Sequence, residues 1–173
     1  MSPDKASEKG IARTLAFLSG NLAPQGAIVK STSISPNLYS SSGNYYHEGR
    51  ARVFYDESSA IAAVKSTGDQ RVLPGEVIVL LGRGPMGAGM PETAQITSAL
   101  KYTKALSENV LITDGRFSGF SSGPCIGHVG PESLSGGPIG KLRDGDKVKI
   151  EINKDHCVGR IDYVGDVDVF QKR

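Results

Sequence analysis

The feature that most constrains the fold is a short apolar run, residues 110–113, which ends abruptly in Asp114-Gly115. A bounded run of this kind predicts a strand buried inside a sheet, and the polar residues behind it predict a strand end at the rim of that sheet. Proteins of the α/β class keep much of their chemistry on loops at such strand ends. We therefore expect functional side chains in residues 114–119, which include Arg116 and Ser118.

Apolar runs and helical patterns alternate along the middle of the chain, whereas the C-terminal part alternates apolar with polar residues as half-exposed antiparallel strands do. Residues 31–49, rich in Ser, Tyr and Asn, predict a long surface loop. The patterns predict strands at 27–30, 51–55, 76–81, 110–113 and 146–152, and a β-rich stretch around 158–161. They predict helices at 5–18 and 91–106, and a third helix that begins at Asp56 or Ser58 and ends at residue 64. These elements indicate a mixed α/β fold, a small mixed β-barrel or sheet with two or three helices outside it.

Length and composition exclude several classes of protein. With 173 residues, 38% hydrophobic and 22% charged, the chain suits one globular domain. It lacks the run of about 20 apolar residues that a membrane span needs, and its first residues lack the apolar stretch of a signal peptide, so we expect a cytoplasmic protein. A net charge of +2 from scattered Lys and Arg, with 6% aromatic residues and no Trp, argues against a nucleic-acid interface.

A glycine-rich loop, residues 82–90, leads into a predicted helix N-terminus. Its amides could bind a phosphate or carboxylate, although no Gly-Lys-Ser/Thr follows to make it a Walker motif. A glycine-rich turn without a ligand is the alternative interpretation. Glu92 stands in the predicted first turn of the helix, where a carboxylate either stabilises the helix dipole or holds a cation.

The residues behind the central strand also have alternative roles. Asp114 is expected to cap the turn and accept amide hydrogen bonds. Arg116 either binds a substrate carboxylate through two hydrogen bonds or forms an ion pair with Asp114 or Glu132. Ser118 is either a turn residue or a nucleophile or base. In the second role it needs a basic or metal partner, because a serine hydroxyl does not ionise unaided near neutral pH.

Cys125 and His128 have a Cys-x-x-His spacing, which would supply two metal ligands but has no second pair to complete a site. We expect instead a buried thiol and a hydrogen-bonded histidine. The other cysteine, Cys157, is distant in sequence, and an iron–sulfur cluster usually needs about four protein ligands. These two cysteines therefore cannot hold a cluster by themselves.

From Ser19 onward the chain resembles the C-terminal domain of the dihydroxy-acid and 6-phosphogluconate dehydratase family. The resemblance rests on ordered motifs at residues 19–27, 51–54, 74–79, 84–92 (ending Gly-Met-Pro-Glu), 114–119 (containing Arg-Phe-Ser-Gly), 125–129 (Cys-Ile-Gly-His-Val) and 136–139. Residues 95–101 and 137–142 are most similar to the sugar-acid branch, in particular to xylonate dehydratases. The resemblance predicts an N-terminal helix or linker, residues 1–18, and a swivelling-domain-like dehydratase C-terminal domain, residues 19–173.

The resemblance implies a hydro-lyase that dehydrates a 2,3-dihydroxy acid, here a sugar acid, to a 2-keto-3-deoxy acid. Family members use an iron–sulfur cluster as a Lewis acid for the leaving 3-hydroxyl, and a magnesium ion to hold the carboxylate end of the substrate. Ser118 is implied to be the base that removes the C2 proton, with Arg116 and Ser118 binding substrate and Glu92 binding magnesium. The family's cluster cysteines belong to its N-terminal domain, so Cys125 is not implied as a ligand.

The chain departs from the family pattern in two places. Relatives often carry a charge where this chain has residues 86–88, and many carry a threonine-histidine pair within 120–123; both differences are expected to affect which acid is accepted. The N-terminal cluster-binding domain lies outside this sequence. We therefore expect that domain as a partner, an inactive isolated chain, and a homo-oligomeric complete enzyme. A non-catalytic module that binds an anion or another ligand with the same fold is the alternative.

Overall fold

The computed structural model describes residues 5, 8 and 14–173. Its strands are β1 (Leu15–Ser19), β2 (Gly26–Lys30), β3 (Asn44–Phe54), β4 (Val77–Leu80), β5 (Val110–Thr113), β6 (Cys125–Gly130), β7 (Lys147–Asn153) and β8 (Val158–Val164). Within residues 14–173 the α-helices are α1 (Glu57–Lys65), α2 (Ala94–Tyr102) and α3 (Val167–Gln171). The predicted mixed α/β class is confirmed, and the sheet is the small barrel rather than an open sheet.

The strands close into a barrel in the order β1-β2-β6-β5-β4-β3-β7-β8. Strands β3, β4, β5 and β6 run parallel to one another, whereas β2 pairs antiparallel with β1 and β6, and β7 pairs antiparallel with β3 and β8. A parallel pairing between β1 and β8 closes the barrel. Because β3 to β6 are parallel, their carboxyl ends and the loops that follow meet at one rim.

Two apolar clusters stabilise this arrangement. One fills the barrel and includes Val79, Ile112 and Ile150; the other lies outside β4 and β5, where Ile78 and Leu111 pack against the two longer helices. Strands β4 and β5 are therefore buried on both faces, which is why their sequences are continuously apolar instead of alternating. Each fully buried aliphatic side chain of this size contributes about 1.5–3 kcal/mol.

The two longer helices are fixed by carboxylates at their N-termini. Of the two predicted caps of α1, Asp56 and Ser58, Asp56 is the N-cap, and its Oδ1 accepts a hydrogen bond from the Ser59 amide at 2.7 Å. Glu57, in the first turn of α1, accepts a hydrogen bond from the Ile96 amide of α2 at 2.9 Å. The positive end of α2 is thus satisfied by an anion of the same chain.

The predicted helix over residues 5–18 is wrong at its C-terminal end, because Leu15–Ser19 is strand β1. Ala16 and Leu18 are buried while Leu15 and Phe17 are exposed, which is the two-residue period of a strand rather than a helical spacing. The strand therefore crosses the predicted boundary between residues 18 and 19. The earlier part of the predicted helix lies largely outside the described residues.

The predicted loop over residues 31–49 is wrong for residues 44–49, which form the first half of β3. Their pairing with β7 extends from Asn44 opposite Asn153 to Arg50 opposite Lys147. The sequence of residues 44–49 resembles a polar loop because Tyr45 is the one buried residue in it, and the others are exposed or partly covered. Cross-strand pairing over a long register stabilises a strand that local propensity does not indicate.

Two further element boundaries differ from the sequence prediction. Helix α2 begins at Ala94, after the N-cap Thr93, so Glu92 precedes the helix instead of lying in its first turn. The predicted C-terminal stretch of strands also ends in helix α3, which Asp166 caps by accepting a hydrogen bond from the Val169 amide. No helix among the described residues has the length and apolar character needed to cross a membrane.

Candidate active site

Asp114 holds together the loops at the rim where β4, β5 and β6 end. Its carboxylate is only 2% exposed. It accepts hydrogen bonds from the amides of Gly82 (3.2 Å), Arg83 (2.8 Å) and Ser133 (3.0 Å), and from the Ser133 hydroxyl (2.5 Å). The predicted role as an acceptor of amide hydrogen bonds is confirmed, and Asp114 joins three loops rather than capping a single turn.

The glycine-rich loop at residues 82–90 uses its amides within the chain. The Met86 amide donates to the Glu132 carboxylate at 3.0 Å, and the Gly89 and Met90 amides donate to the Gly84 carbonyl oxygen at 3.2 and 3.3 Å. A Cβ at Gly84 would lie 1.9 Å from Glu132 Oε2, so this close approach requires glycine. These contacts favour the structural interpretation of the loop over an anion-binding one.

Glu92 and Arg116 face each other across two adjoining loops. Arg116 Nη1 lies 3.4 Å from Glu92 Oε1, and both side chains are about half exposed. Arg116 Nε donates to the Met90 carbonyl oxygen at 2.8 Å, and the Thr93 amide and hydroxyl donate to the Arg116 carbonyl oxygen. Arg116 therefore pairs with neither of the two acids that the sequence suggested as partners, and instead joins the Gly-Met-Pro-Glu segment to the Arg-Phe-Ser-Gly segment.

The backbone at this junction is strained. Met90 adopts a left-handed conformation with a φ of 63°, which costs a residue other than glycine about 1–2 kcal/mol. Its carbonyl oxygen is the one that Arg116 holds. Strain of this kind persists where surrounding contacts fix a functional geometry, which supports a functional role for the junction of Glu92 and Arg116.

The side chains of the chain fit one of the two expected cofactors, the magnesium ion, and do not fit the other, the iron–sulfur cluster. No group of three or more His, Cys, Asp or Glu side chains among the described residues could hold a metal ion. Glu92 nevertheless has a half-exposed carboxylate, and magnesium is commonly held by one or two carboxylates together with water and substrate oxygens. The chain therefore fits a single magnesium ligand from Glu92, whereas its two cysteines do not fit a cluster that needs about four.

Ser118 lines a cleft of about 290 Å³ beside the barrel wall. The lining that bears on function is Ile28 and Lys30 of β2, Phe117, Ser118 and Ser121 of the loop after β5, and His128 of β6. Lys30 Nζ donates to the Gly119 carbonyl oxygen at 2.9 Å, and the Phe120 amide donates to Ser118 Oγ at 3.3 Å. Glu92 and Arg116 lie outside this lining.

Sequence reasoning did not find Lys30, which ends a strand far from Ser118 along the chain. It included Ser121 only as part of residues 120–123, the segment that departs from the family pattern and is expected to affect which acid is accepted. Closure of the barrel, which pairs β2 with β6, brings Lys30 to the Ser118 loop. A lysine at a strand end carries no signal of that contact.

Cys125 is a buried thiol, as predicted. Burial raises its pKa to about 12, and its Sγ donates to the Ser122 carbonyl oxygen at 3.4 Å. The His128 side chain is exposed, and its backbone amide donates to the Gly115 carbonyl oxygen at 2.7 Å. These two residues form part of the cleft wall rather than a metal pair.

Alkylation should distinguish the two cysteines. At pH 8 the Cys125 thiol, with its pKa near 12, stays protonated and buried, so it should resist iodoacetamide, while the partly exposed Cys157 is labelled. Peptide mass spectrometry measures both sites, and labelling in denaturant serves as the control in which both react. Equal labelling of the two cysteines in the native protein would contradict the buried position of Cys125.

Comparison with known proteins identifies relatives over nearly the whole chain. The family model described as dihydroxy-acid/6-phosphogluconate dehydratase C-terminal matches residues 5–166. The D-xylonate dehydratases YagF and YjhG of Escherichia coli (strain K12) are 45% and 47% identical over 97% and 95% of this chain, which in each case is 25% of the relative. A dihydroxy-acid dehydratase of Clostridium novyi (strain NT) is 42% identical over 80% of the chain and 24% of its own length.

The chain thus spans about a quarter of the length of these relatives. The matched region includes both the Glu92 segment and the Ser118 segment. These matches agree with the resemblance expected from the ordered motifs. The chain belongs to the dihydroxy-acid/6-phosphogluconate dehydratase family and corresponds to its C-terminal domain.

Proposed function

We propose that this chain is the C-terminal domain of a hydro-lyase that dehydrates a sugar acid to a 2-keto-3-deoxy acid. The observation that carries the proposal is the arrangement of Ser118 at a cleft and of Glu92 with Arg116 on the adjoining loops. The two relatives whose names specify D-xylonate match 97% and 95% of this chain, whereas dihydroxy-acid dehydratases match between 80% and 92% of it, which supports a sugar acid as the substrate.

Ser118 is the proposed base of this reaction. The C2–H bond breaks and its proton passes to Ser118 Oγ, while the C3–O bond breaks and hydroxide leaves. The resulting enol takes up a proton at C3 and loses one from oxygen to give the 2-keto acid, and the proton on Ser118 balances the released hydroxide as water. The Phe120 amide, which donates to Oγ, favours the ionised form of the hydroxyl that this step requires.

Glu92 and Arg116 are proposed to bind the carboxylate end of the substrate. Glu92 would hold a magnesium ion that, when bound, neutralises the carboxylate and polarises the carbon to be deprotonated. Arg116 has five N–H donors in a fixed plane, and the contacts to Met90 and Glu92 orient that plane before the substrate arrives. The two residues would therefore place the C2 hydrogen relative to Ser118.

The remainder of the enzyme is proposed to cover this rim and to supply the iron–sulfur cluster and the other magnesium ligands. Large apolar side chains on the rim loops face outward: Phe120 is 96% exposed, and Met86 and Leu134 are also largely exposed. Exposed apolar groups that cluster around a site mark an interaction surface. We propose the N-terminal dehydratase domain as the partner at this surface, within an enzyme that is a homo-oligomer.

Replacing Glu92 by glutamine should weaken magnesium binding to the complete enzyme. The amide keeps the size of the side chain but removes the negative charge, so the magnesium concentration for half-maximal activity should rise at least about tenfold, since even outer-sphere partners of a metal have that effect. Magnesium titration of activity, with calorimetry of magnesium binding, measures the change.

Glu108 offers a matched control, because it is another exposed glutamate beyond the rim loops. Glu108→Gln should leave the magnesium dependence unchanged. If Glu92→Gln and the native enzyme have the same magnesium affinity, Glu92 is not a ligand.

The activity itself is tested with D-xylonate and the complete enzyme. Formation of a 2-keto-3-deoxy acid, detected as its semicarbazone, is expected, together with no turnover by the 173-residue chain alone. A complete enzyme that binds D-xylonate but releases no keto acid from it or from other sugar acids would instead support a non-catalytic binding module.

A further inference from the structure

The Ser118 cleft contains a buried hydroxyl that has no partner. Ser121 is 7% exposed, and its Oγ makes no hydrogen bond although it is shielded from solvent. A buried polar group left unpaired costs about 1–3 kcal/mol, and such groups in native proteins require an explanation. Ser121 belongs to the lining of the same cleft as Ser118.

A cation lines the same cleft. This cation is Lys30, whose ammonium group donates a hydrogen bond to the carbonyl oxygen of Gly119, a residue between Ser118 and Ser121 in sequence. An ammonium group has three donors, so two remain for a further acceptor. Ser121 and Lys30 thus offer a hydroxyl and charged donors to an oxygen-bearing ligand.

The loop that carries Ser121 is tied to the barrel, so these groups are held in place. The single proton of the Ser33 hydroxyl is shared between two carbonyl oxygens, those of Lys30 at 2.7 Å and of Gly123 at 2.9 Å from Oγ. The Gly123 amide donates to the Ser33 carbonyl oxygen at 2.9 Å. The same strand end therefore positions Lys30 and the end of the 117–123 loop. A preorganised pair of polar groups is what selective binding of a hydroxyl requires.

We propose that Ser121 and Lys30 form a subsite for the hydroxylated tail of a polyhydroxy acid. The inference rests on the proposed function: with the carboxylate end held near Glu92 and C2 beside Ser118, the carbons beyond C3 extend into the cleft. Ile28 and Phe117 contact the carbon chain of that tail, and Ser121 and Lys30 bind its hydroxyl oxygens. The subsite distinguishes a sugar acid from a 2,3-dihydroxy acid with an alkyl tail.

The test compares two ligands, D-xylonate and 2,3-dihydroxybutanoate, in the complete enzyme. Ser121→Ala should weaken D-xylonate binding about three- to tenfold, the effect of one neutral hydrogen bond, and leave binding of 2,3-dihydroxybutanoate unchanged. Lys30→Met should weaken D-xylonate binding at least about tenfold, because its bonds are charge-assisted, and Lys30→Arg should retain most of the affinity. Calorimetry in a Ser118→Ala background measures binding without turnover.

Matched controls come from neighbouring positions. Ser122→Ala removes a hydroxyl from the same loop outside the cleft lining, and Lys149→Met removes a half-exposed lysine on β7 that pairs with Glu151. Both should bind D-xylonate normally. Unchanged D-xylonate affinity in Ser121→Ala, or an equal loss for both ligands, would overturn the subsite and leave a bound water as the partner of Ser121.

The experiment distinguishes failure of the subsite from failure of the proposed function. The binding measurement does not depend on which residue removes the proton, so the subsite can be confirmed even if Ser118 proves not to be the base. Conversely, a loss of turnover in Ser118→Ala combined with unchanged D-xylonate binding in Ser121→Ala would retain the proposed chemistry and overturn the subsite.

Discussion

Replacement of Ser118 by alanine should lower kcat of the complete enzyme by about 10²–10⁴-fold, the usual contribution of a positioned general base. Without Oγ the cleft loses the group proposed to accept the C2 proton. The Cys125 thiol of the same cleft does not replace it, because burial raises the pKa of that thiol to about 12 and keeps it protonated at working pH. The substrate should still bind, so KM should change far less than kcat.

Two measurements test the assignment of Ser118. Steady-state kinetics gives kcat, and exchange of the substrate's C2 hydrogen with solvent deuterium reports proton removal independently of the loss of water. Both should fall together in Ser118→Ala, while Ser122→Ala, on the same loop but outside the cleft lining, should remain close to the native enzyme. Near-normal kcat in Ser118→Ala would exclude the serine as the base.

Asp114→Ala should lower the free energy of unfolding of the chain by about 3–5 kcal/mol. The substitution removes the acceptor of the Arg83 amide and of the amide and hydroxyl of Ser133, and each buried group left unpaired costs about 1–3 kcal/mol. The Gly82 amide keeps Ser133 Oγ as an acceptor at 3.0 Å. Partial relaxation of the loops toward solvent recovers some of that sum. The loss should also loosen both segments of the site, since Asp114 connects the loops after three strands.

Urea unfolding measures the loss, and Asp56→Ala is the matched control. Asp56 also accepts an amide hydrogen bond, from Ser59, but it is an exposed N-cap, for which removal typically costs about 1 kcal/mol. Hydrogen exchange at the Arg83 and Ser133 amides, which donate to Asp114, gives a local readout. A loss in Asp114→Ala no larger than that of Asp56→Ala would show that Asp114 does not hold the rim together.

Local sequence patterns predicted the strands that are buried on both faces and the helix whose capping side chain lies close to it in sequence. Strands β4 and β5 were predictable because both of their faces are covered, and the start of α1 because Asp56 caps it within three residues. The first half of β3 was not predictable, since its polar residues are held by a register with β7 about 100 residues away. Strand β1 was missed because its short run of apolar residues also fits a helical spacing.

The candidate site residues follow from motifs in the sequence, whereas their partners in the structure do not. Glu92, Arg116 and Ser118 were identified from motifs, yet the pairing of Arg116 with Glu92 depends on two loops that lie side by side only after β4 and β5 pair in parallel. Lys30 reaches the Ser118 loop through the β2–β6 pairing. Contacts between residues so distant in sequence leave no trace in a local pattern.

The pairing of the first strand with the last also determines when the barrel can close during synthesis. Strand β1 pairs in parallel with β8, with Phe17 opposite Val158, and Asn21 is held by hydrogen bonds to Asp162 and Tyr163. A chain leaving the ribosome makes β1 well before β8, so this seam can form only after nearly the whole domain has been synthesised. Long-range closure of this kind slows folding, and until it occurs the edge of β1 is open to pairing with other chains.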